Sequence, residues 1–305
     1  MLIDRLIARI IELESPIALG LEPQLSQIPR RMKEDIFFSR GKTPEAAARI
    51  IYRFNRAIID HIYDLVPAVT LQIALYEQFG VPGINCYIKT VDYARSKGLF
   101  VIGDLKRGDV SYAAAAYSNG HIGKVDIENS AHKVFDEDFI TVNPYMGYDA
   151  VMPFIMDCKN HNKGIFMMVK TSNPGAAAIQ NVLTAEGQAF FCHIGALVSE
   201  WGYGLIGKYG FSSVGAMVGL NQPSEGKMLR EIMPHSFFLV PGLQEKGSAK
   251  ELLKGTLNKD RLGMILKSSS DITAAFMLDE YKSYGEVGFA QAARAAVTDL
   301  KKDLQ

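Results

Sequence analysis

Residues 100–109 read FVIGDLKRGD, an apolar, β-favouring run that ends at Gly103 and is followed by four ionisable groups, Asp104, Lys106, Arg107 and Asp109. On an extended strand Asp104 and Lys106, two apart, project to one face. Asp109 lies just past the strand end, where the chain can turn back toward that face. Two carboxylates and an ammonium crowded at the end of a buried strand are costly to desolvate unless paired. Such a cluster points to acid–base chemistry, or to electrostatic stress on a bound charge. The plainer alternative is a surface ion-pair network at the start of a loop. The flanking carboxylates favour the protonated form of Lys106, and hence proton donation over nucleophilic attack.

The elements that must position this cluster follow from periodicity. Residues 2–13 carry Leu2, Leu6, Ile10 and Leu13 at helical spacing and stop at Ser15-Pro16. Residues 16–22 form a short apolar strand, and 24–42 are expected as a loop with a short helical piece. Thr43-Pro44-Glu45 opens a long helix through Leu65, with Thr as cap and Pro in the first turn. Further apolar runs at 68–72, 100–106, 139–145, 164–171, 213–220, 237–243 and 263–269 complete eight strand candidates. Helical stretches separate them, at 81–97, 150–160, 187–201 and 224–232 among others. Near-continuous hydrophobicity marks strands buried on both faces of a parallel sheet. Eight such units predict an α/β fold, a single (β/α)8 TIM barrel over residues 1–305 with an extra N-terminal helix. An open doubly wound sheet is the runner-up, but no GxGxxG follows the first strand. The polar passage 119–138 is expected as an elaborated loop.

In such a barrel, catalytic groups gather at the C-terminal ends of the strands. The polar residues at those positions are Glu22, then Thr70 and Gln72, then Asp104, Lys106 and Asp109. Asn143 and Tyr145 follow, then Lys170, Thr171 and Asn173, then Asn221 and Gln222. Gln244 to Lys246 and Lys267 to Asp271 close the set.

Composition narrows the classes of function. With 33 basic and 33 acidic residues, no global field points to nucleic acid or an anionic membrane. Cys86, Cys158 and Cys192 are odd in number and widely spaced, so a disulfide framework or zinc site is not expected. The six histidines form no HxH or HExxH spacing, and no metal is assigned. No stretch approaches 18 apolar residues, and the charged N-terminus reads as an amphipathic helix rather than a signal peptide. A reducing, cytoplasmic setting is expected.

DLKRGD matches the DxKxxD signature of the orotidine 5′-phosphate decarboxylases, and the chain resembles their longer bacterial subfamily from end to end. The matching segments include QIALYEQFG, AYSNGHIG, TVNPYMG, MVKTSNP, SSVGAMVG and MPHSFFLVPG. The resemblance implies a lyase of pyrimidine and UMP biosynthesis that converts orotidine 5′-phosphate to UMP without metal or organic cofactor. It makes Lys106 the proton donor to C6 and Asp104 the carboxylate crowding the leaving CO2. It also implies a homodimer in which Asp109 completes the array from the neighbouring subunit. Substrate binding is expected from Glu22, Thr70, Gln72, Asn143, Lys170, Lys246, Lys267 and Ser270.

Several pocket positions depart from the family pattern. Thr70 stands where an AVKPQ-like segment carries the first array lysine, and Glu22 stands for the aspartate of a GLDP-like segment. Lys246 occupies a glutamine position of the phosphate loop. An NSSRG-like segment here reads Lys267-Ser268-Ser269-Ser270-Asp271, so the phosphate-gripping arginine is replaced by Ser270. A weakened phosphate grip and impaired turnover are expected. Two other readings stay open. One is amine or acid–base chemistry on another ligand, using Lys106, Lys170 or Lys267 as a nucleophile of lowered pKa. The other is a non-catalytic binding homodimer. Lys267 itself is read as a solvated lysine at the rim.

Overall fold

The computed structural model describes residues 1–220, 222–242, 255–258, 260 and 262–304. Asn221 and residues 244–246, with Lys246 among them, lie outside that set. Eight parallel strands carry the fold: β1 Ile17–Leu21, β2 Ala68–Gln72, β3 Phe100–Arg107, β6 Phe139–Val142, β7 Gly164–Lys170, β8 Ser212–Val218, β9 Ser236–Pro241 and β10 Met264–Ser268. They close into a barrel in the order β1-β10-β9-β8-β7-β6-β3-β2. Every residue of β1, β6, β8 and β10 is buried. That is what a near-continuous apolar run requires of a strand covered on both faces. The chain divides into two compact units, one of residues 10–105 with 267–305 and one of residues 1–9 with 106–266.

In the first unit β1 pairs with β2 and β2 with β3, placing Gly20 beside Thr70, Thr70 beside Ile102, and Gln72 beside Asp104. The helix α3, Pro44–Ile62, begins as its sequence predicts. Thr43 is the cap, its hydroxyl accepting from the Ala46 N–H at 3.2 Å, and Pro44 sits in the first turn. Its buried stripe includes Ile50, Ile51, Phe54, Ile58 and Ile62. Phe54 stacks on Phe289 of the last helix, Phe289–Leu304, with ring centroids 5.2 Å apart. Residues 24–42 hold more helix than the expected loop with a short helical piece. Arg30–Arg40 is an eleven-residue helix, and only Ile36 on it is buried. So little apolar patterning left no period to read.

In the second unit β6, β7, β8 and β9 pair in sequence order, with a register shift on β7 between Met168 and Lys170. The passage 119–138 is not simply a loop. Val125–Ile127 and Ser130–His132 pair antiparallel as a small hairpin, β4–β5. Its two turn residues, Glu128 and Asn129, both have positive φ, 49° and 71°. That is the turn geometry favoured by short hairpins, here without the Asn-Gly pair that announces it. Arg230, buried on the helix Pro223–Ile232, ties this unit together from below. Its guanidinium donates to the carbonyls of Thr256, Met233, Ser236 and Gly263 at 2.7–3.1 Å.

Candidate active site

The first unit holds a buried cluster of charge. Asp104, 1% exposed, sits on β3 directly beside Gln72, whose amide donates to its Oδ2 at 3.3 Å. Lys267, 7% exposed, enters from β10 and donates to the same Oδ2 at 2.8 Å. The Lys267 ammonium also pairs with Glu22 Oε1 at 2.5 Å. One ammonium thus lies between two carboxylates contributed by different strands. Burial by itself would lower the Lys267 pKa, but the charges of Asp104 and Glu22 outweigh it and raise the pKa above the ordinary 10.5. The reading of Lys267 as a solvated rim lysine is therefore overturned, and so is the lowered pKa that an amine nucleophile there would need.

Thr70 lies on the same face of β2 as Gln72. It is fully buried, and its hydroxyl has no hydrogen-bond partner among the protein atoms. A buried hydroxyl without a partner costs roughly 1–3 kcal/mol. Its β1 neighbour Gly20 has no side chain, and a Cβ there would collide with Ser269. At the end of β10, Ser268 donates to Asp271 at 2.9 Å, while Ser270 is exposed.

The second unit carries Lys106, Asp109, Asn143 and Lys170. Lys106 is half-buried, with φ of 50°, in the left-handed region that a non-glycine residue occupies at a cost of about 1–3 kcal/mol. The strict alternation assumed for an extended strand therefore stops at this residue, and spacing alone does not set the direction of its side chain. The twist is held in place. The Lys106 N–H donates to the Thr141 hydroxyl at 2.9 Å, and the Asn143 N–H donates to the Arg107 carbonyl at 2.7 Å. Gly108 lets that loop approach, since a Cβ there would lie 3.0 Å from the Asn143 carbonyl oxygen. Asp109 is half-buried beyond the strand end, its Oδ1 accepting from the Val110 N–H at 2.8 Å.

Lys170 belongs to a different setting. It is 2% exposed, paired with Glu225 at 3.3 Å and set 4.8 Å from the Phe191 ring centroid. Sequence reasoning missed both Thr141 and Glu225. Thr141 was findable as the polar interruption in the FITV run. Glu225 looked like a helix-start residue, and it does cap that helix, its side chain accepting from the Gln222 N–H at 3.2 Å. Among the described residues no group of three or more His, Cys, Asp or Glu side chains lies together as a metal site.

Fold and cluster together define a parallel β/α-barrel protein with a buried acid–ammonium–acid group on its strands. Comparison with known proteins narrows the class. The model of the orotidine 5′-phosphate decarboxylase / HUMPS family matches residues 54–275. The orotidine 5′-phosphate decarboxylase of Caldicellulosiruptor bescii is 36% identical over 301 residues, covering 99% of this chain and 97% of the relative. That of Petrotoga mobilis is 37% identical over 308 residues, covering 100% and 98%. The chain belongs to the orotidine 5′-phosphate decarboxylase family, a family of lyases. Two solved structures share the fold. The OMP decarboxylase of Leishmania donovani superposes with a TM-score of 0.71 at 22% identity, covering 99% and 98% of the chains. The Plasmodium berghei orotidine 5′-monophosphate decarboxylase gives 0.74 at 18% identity over the same shares.

Proposed function

We propose that this chain, acting as one domain, decarboxylates orotidine 5′-phosphate to UMP without metal or organic cofactor. The observation that carries the reading is Asp104, a carboxylate 1% exposed that accepts from the Lys267 ammonium at 2.8 Å. An ionised acid facing the substrate carboxylate raises the ground state, and that repulsion disappears as neutral CO2 departs. The bond from C6 to the carboxylate carbon breaks, and its electron pair remains on C6. Lys106 stabilises that charge and then gives its proton to form the new C6–H bond, to be reprotonated from solvent. Substrate contact is assigned to Glu22, Thr70 and Gln72, and the phosphate to Ser270. Ser270 in the place of an arginine, with Asp271 after it, makes that grip weaker than the family's, so KM is raised.

The reading includes a homodimer in which Asp109 works across the subunit boundary. Support comes from exposed apolar residues beside it. Val110 precedes and Tyr112 lies in the first turn of the helix Ser111–His121, which Ser111 links to Asp149 at the start of the helix Tyr148–His161, next to exposed Tyr145, Met146 and Tyr148. The setting is cytoplasmic, in keeping with three buried, free cysteines. Amine chemistry at Lys267 is disfavoured, because its two carboxylates hold it protonated.

The test is the loss of the orotate chromophore on adding enzyme to orotidine 5′-phosphate. Turnover that disappears in Lys106→Ala supports the proposal. No turnover by the wild-type chain, at any enzyme concentration, rejects it.

A further inference from the structure

Within the first unit, the helix Arg30–Arg40, α3 and the helix Gly80–Ser96 line a cleft of about 1100 Å³. None of its lining residues belongs to the cluster of Glu22, Asp104 and Lys267. One wall is a row of arginines. Arg49, Arg53 and Arg56 on α3 follow one another at spacings of four and three, so they stand on a single helical face. Like charges at that spacing destabilise a helix. Arg49 and Arg53 make no ion pair with any described residue. Arg56 is held by aromatic faces, its guanidinium 4.5 Å from the Tyr93 ring centroid and 5.8 Å from that of Tyr52. Arg40 and Lys89 add a cation from each of the other two helices. The acids of the cleft leave the middle of the row alone. Glu45 sits in the first turn of α3, where it suits the helix dipole. Asp60, toward the other end, is taken up by Lys97 and by the Tyr93 hydroxyl, each at 2.6 Å. Asp35, on the helix Arg30–Arg40, is the third. Five cations therefore line the cleft against three acids, one of them already paired.

We propose that this cleft is a binding site for a chain of phosphates, free or as the tail of a nucleotide. Guanidinium groups present forked donors that match phosphate oxygens two at a time. From Arg49 to Arg56 the row runs roughly 10 Å along the helix, so a single phosphate reaches part of it and a chain of them reaches it all. The bound anion relieves the repulsion within the row, and ligand and fold thereby stabilise each other. The site is separate from the decarboxylase reading and does not depend on it.

The experiment is calorimetric titration of inorganic tripolyphosphate into the wild-type chain, Arg49→Ala/Arg53→Ala and Lys282→Ala/Lys302→Ala. The last pair removes two exposed charges from outside the cleft and so controls for general attraction to cations. The wild type should bind saturably and unfold at a higher temperature with tripolyphosphate present. Arg49→Ala/Arg53→Ala should bind roughly 10-fold more weakly or worse, and Lys282→Ala/Lys302→Ala as the wild type does. A wild type with no saturable heat up to roughly 1 mM tripolyphosphate overturns the proposal. Equal weakening in the two double variants also overturns it, because the anion then answers to net charge and not to the row. Both cleft arginines are exposed, so their removal should leave the fold intact. Should that variant not fold, Arg53→Gln decides in its place: weaker binding supports the site and unchanged binding rejects it. ATP in parallel identifies the source, since binding tighter than that of tripolyphosphate points to a nucleotide and binding no tighter to the free chain. Either result supports the site, and loss of both ligands' binding in the wild type rejects it.

Discussion

Lys267 Nζ donates to Asp104 Oδ2 at 2.8 Å, and both residues are more than nine-tenths buried. The pair joins β10 to β3, and Glu22 makes it a triad. Leaving either charge without its partner in such surroundings costs about 3–5 kcal/mol.

Asp104→Asn separates charge from shape. The amide fills the same space, and the Lys267 ammonium keeps Glu22 as its partner, so the fold survives. The repulsion on the substrate carboxylate is lost. A fall in kcat/KM of roughly 100-fold to 1000-fold, with a urea midpoint near wild type, is expected from parallel kinetics and denaturation. Kinetics indistinguishable from wild type would contradict the role assigned to Asp104.

The raised pKa of Lys267 makes a prediction with a definite sign. The folded chain holds this proton more tightly than the unfolded chain, whose lysine has the ordinary value of 10.5. The stabilisation is therefore complete below that value and is lost as pH rises through the higher, folded pKa. The difference in unfolding free energy between wild type and Lys267→Met should stay flat from about pH 7 to about pH 10 and shrink above that. Urea titrations across this range measure it, and a difference that collapses near neutrality would mean Lys267 is not held as an ammonium.

Thr70→Val tests the orphaned hydroxyl. Valine keeps the shape and removes the polar atom that has no partner. The folded chain should gain roughly 1 kcal/mol, read as a higher urea midpoint. A clear loss of stability would show that the hydroxyl is satisfied in solution.

Much of this was legible in the sequence, and the reasons differ by element. The strands stood out because each is buried on both faces, and α3 because Thr43-Pro44-Glu45 announces a helix start. The helix Arg30–Arg40 did not, because Ile36 alone of its residues is buried. The β4–β5 hairpin turns on Glu128 and Asn129, a pair without the usual glycine. Within the site, Asp104 was legible from the density of charge in DLKRGD. Its partner was not, because pairing between strands 163 residues apart leaves no local period. Alternation could place Asp104 on a face, but it failed two residues later, where Lys106 turns to positive φ against Thr141.

Arg230 supplies a prediction away from the chemistry. Burial pushes its pKa down to about 10, yet its guanidinium satisfies four carbonyls and lies 3.8 Å from the Phe238 ring centroid. Arg230→Met removes those donors and leaves the carbonyls buried without them. A loss of about 3 kcal/mol or more is expected from denaturant unfolding. A loss under about 1 kcal/mol would show that water reaches those carbonyls.

The most direct test is decarboxylation itself, followed as the disappearance of orotidine 5′-phosphate with wild type and Lys106→Ala side by side. Wild type should consume the substrate and release UMP, and Lys106→Ala should be folded and inactive. A wild-type chain that leaves the substrate untouched at high enzyme concentration, or a Lys106→Ala chain as fast as wild type, would contradict the account.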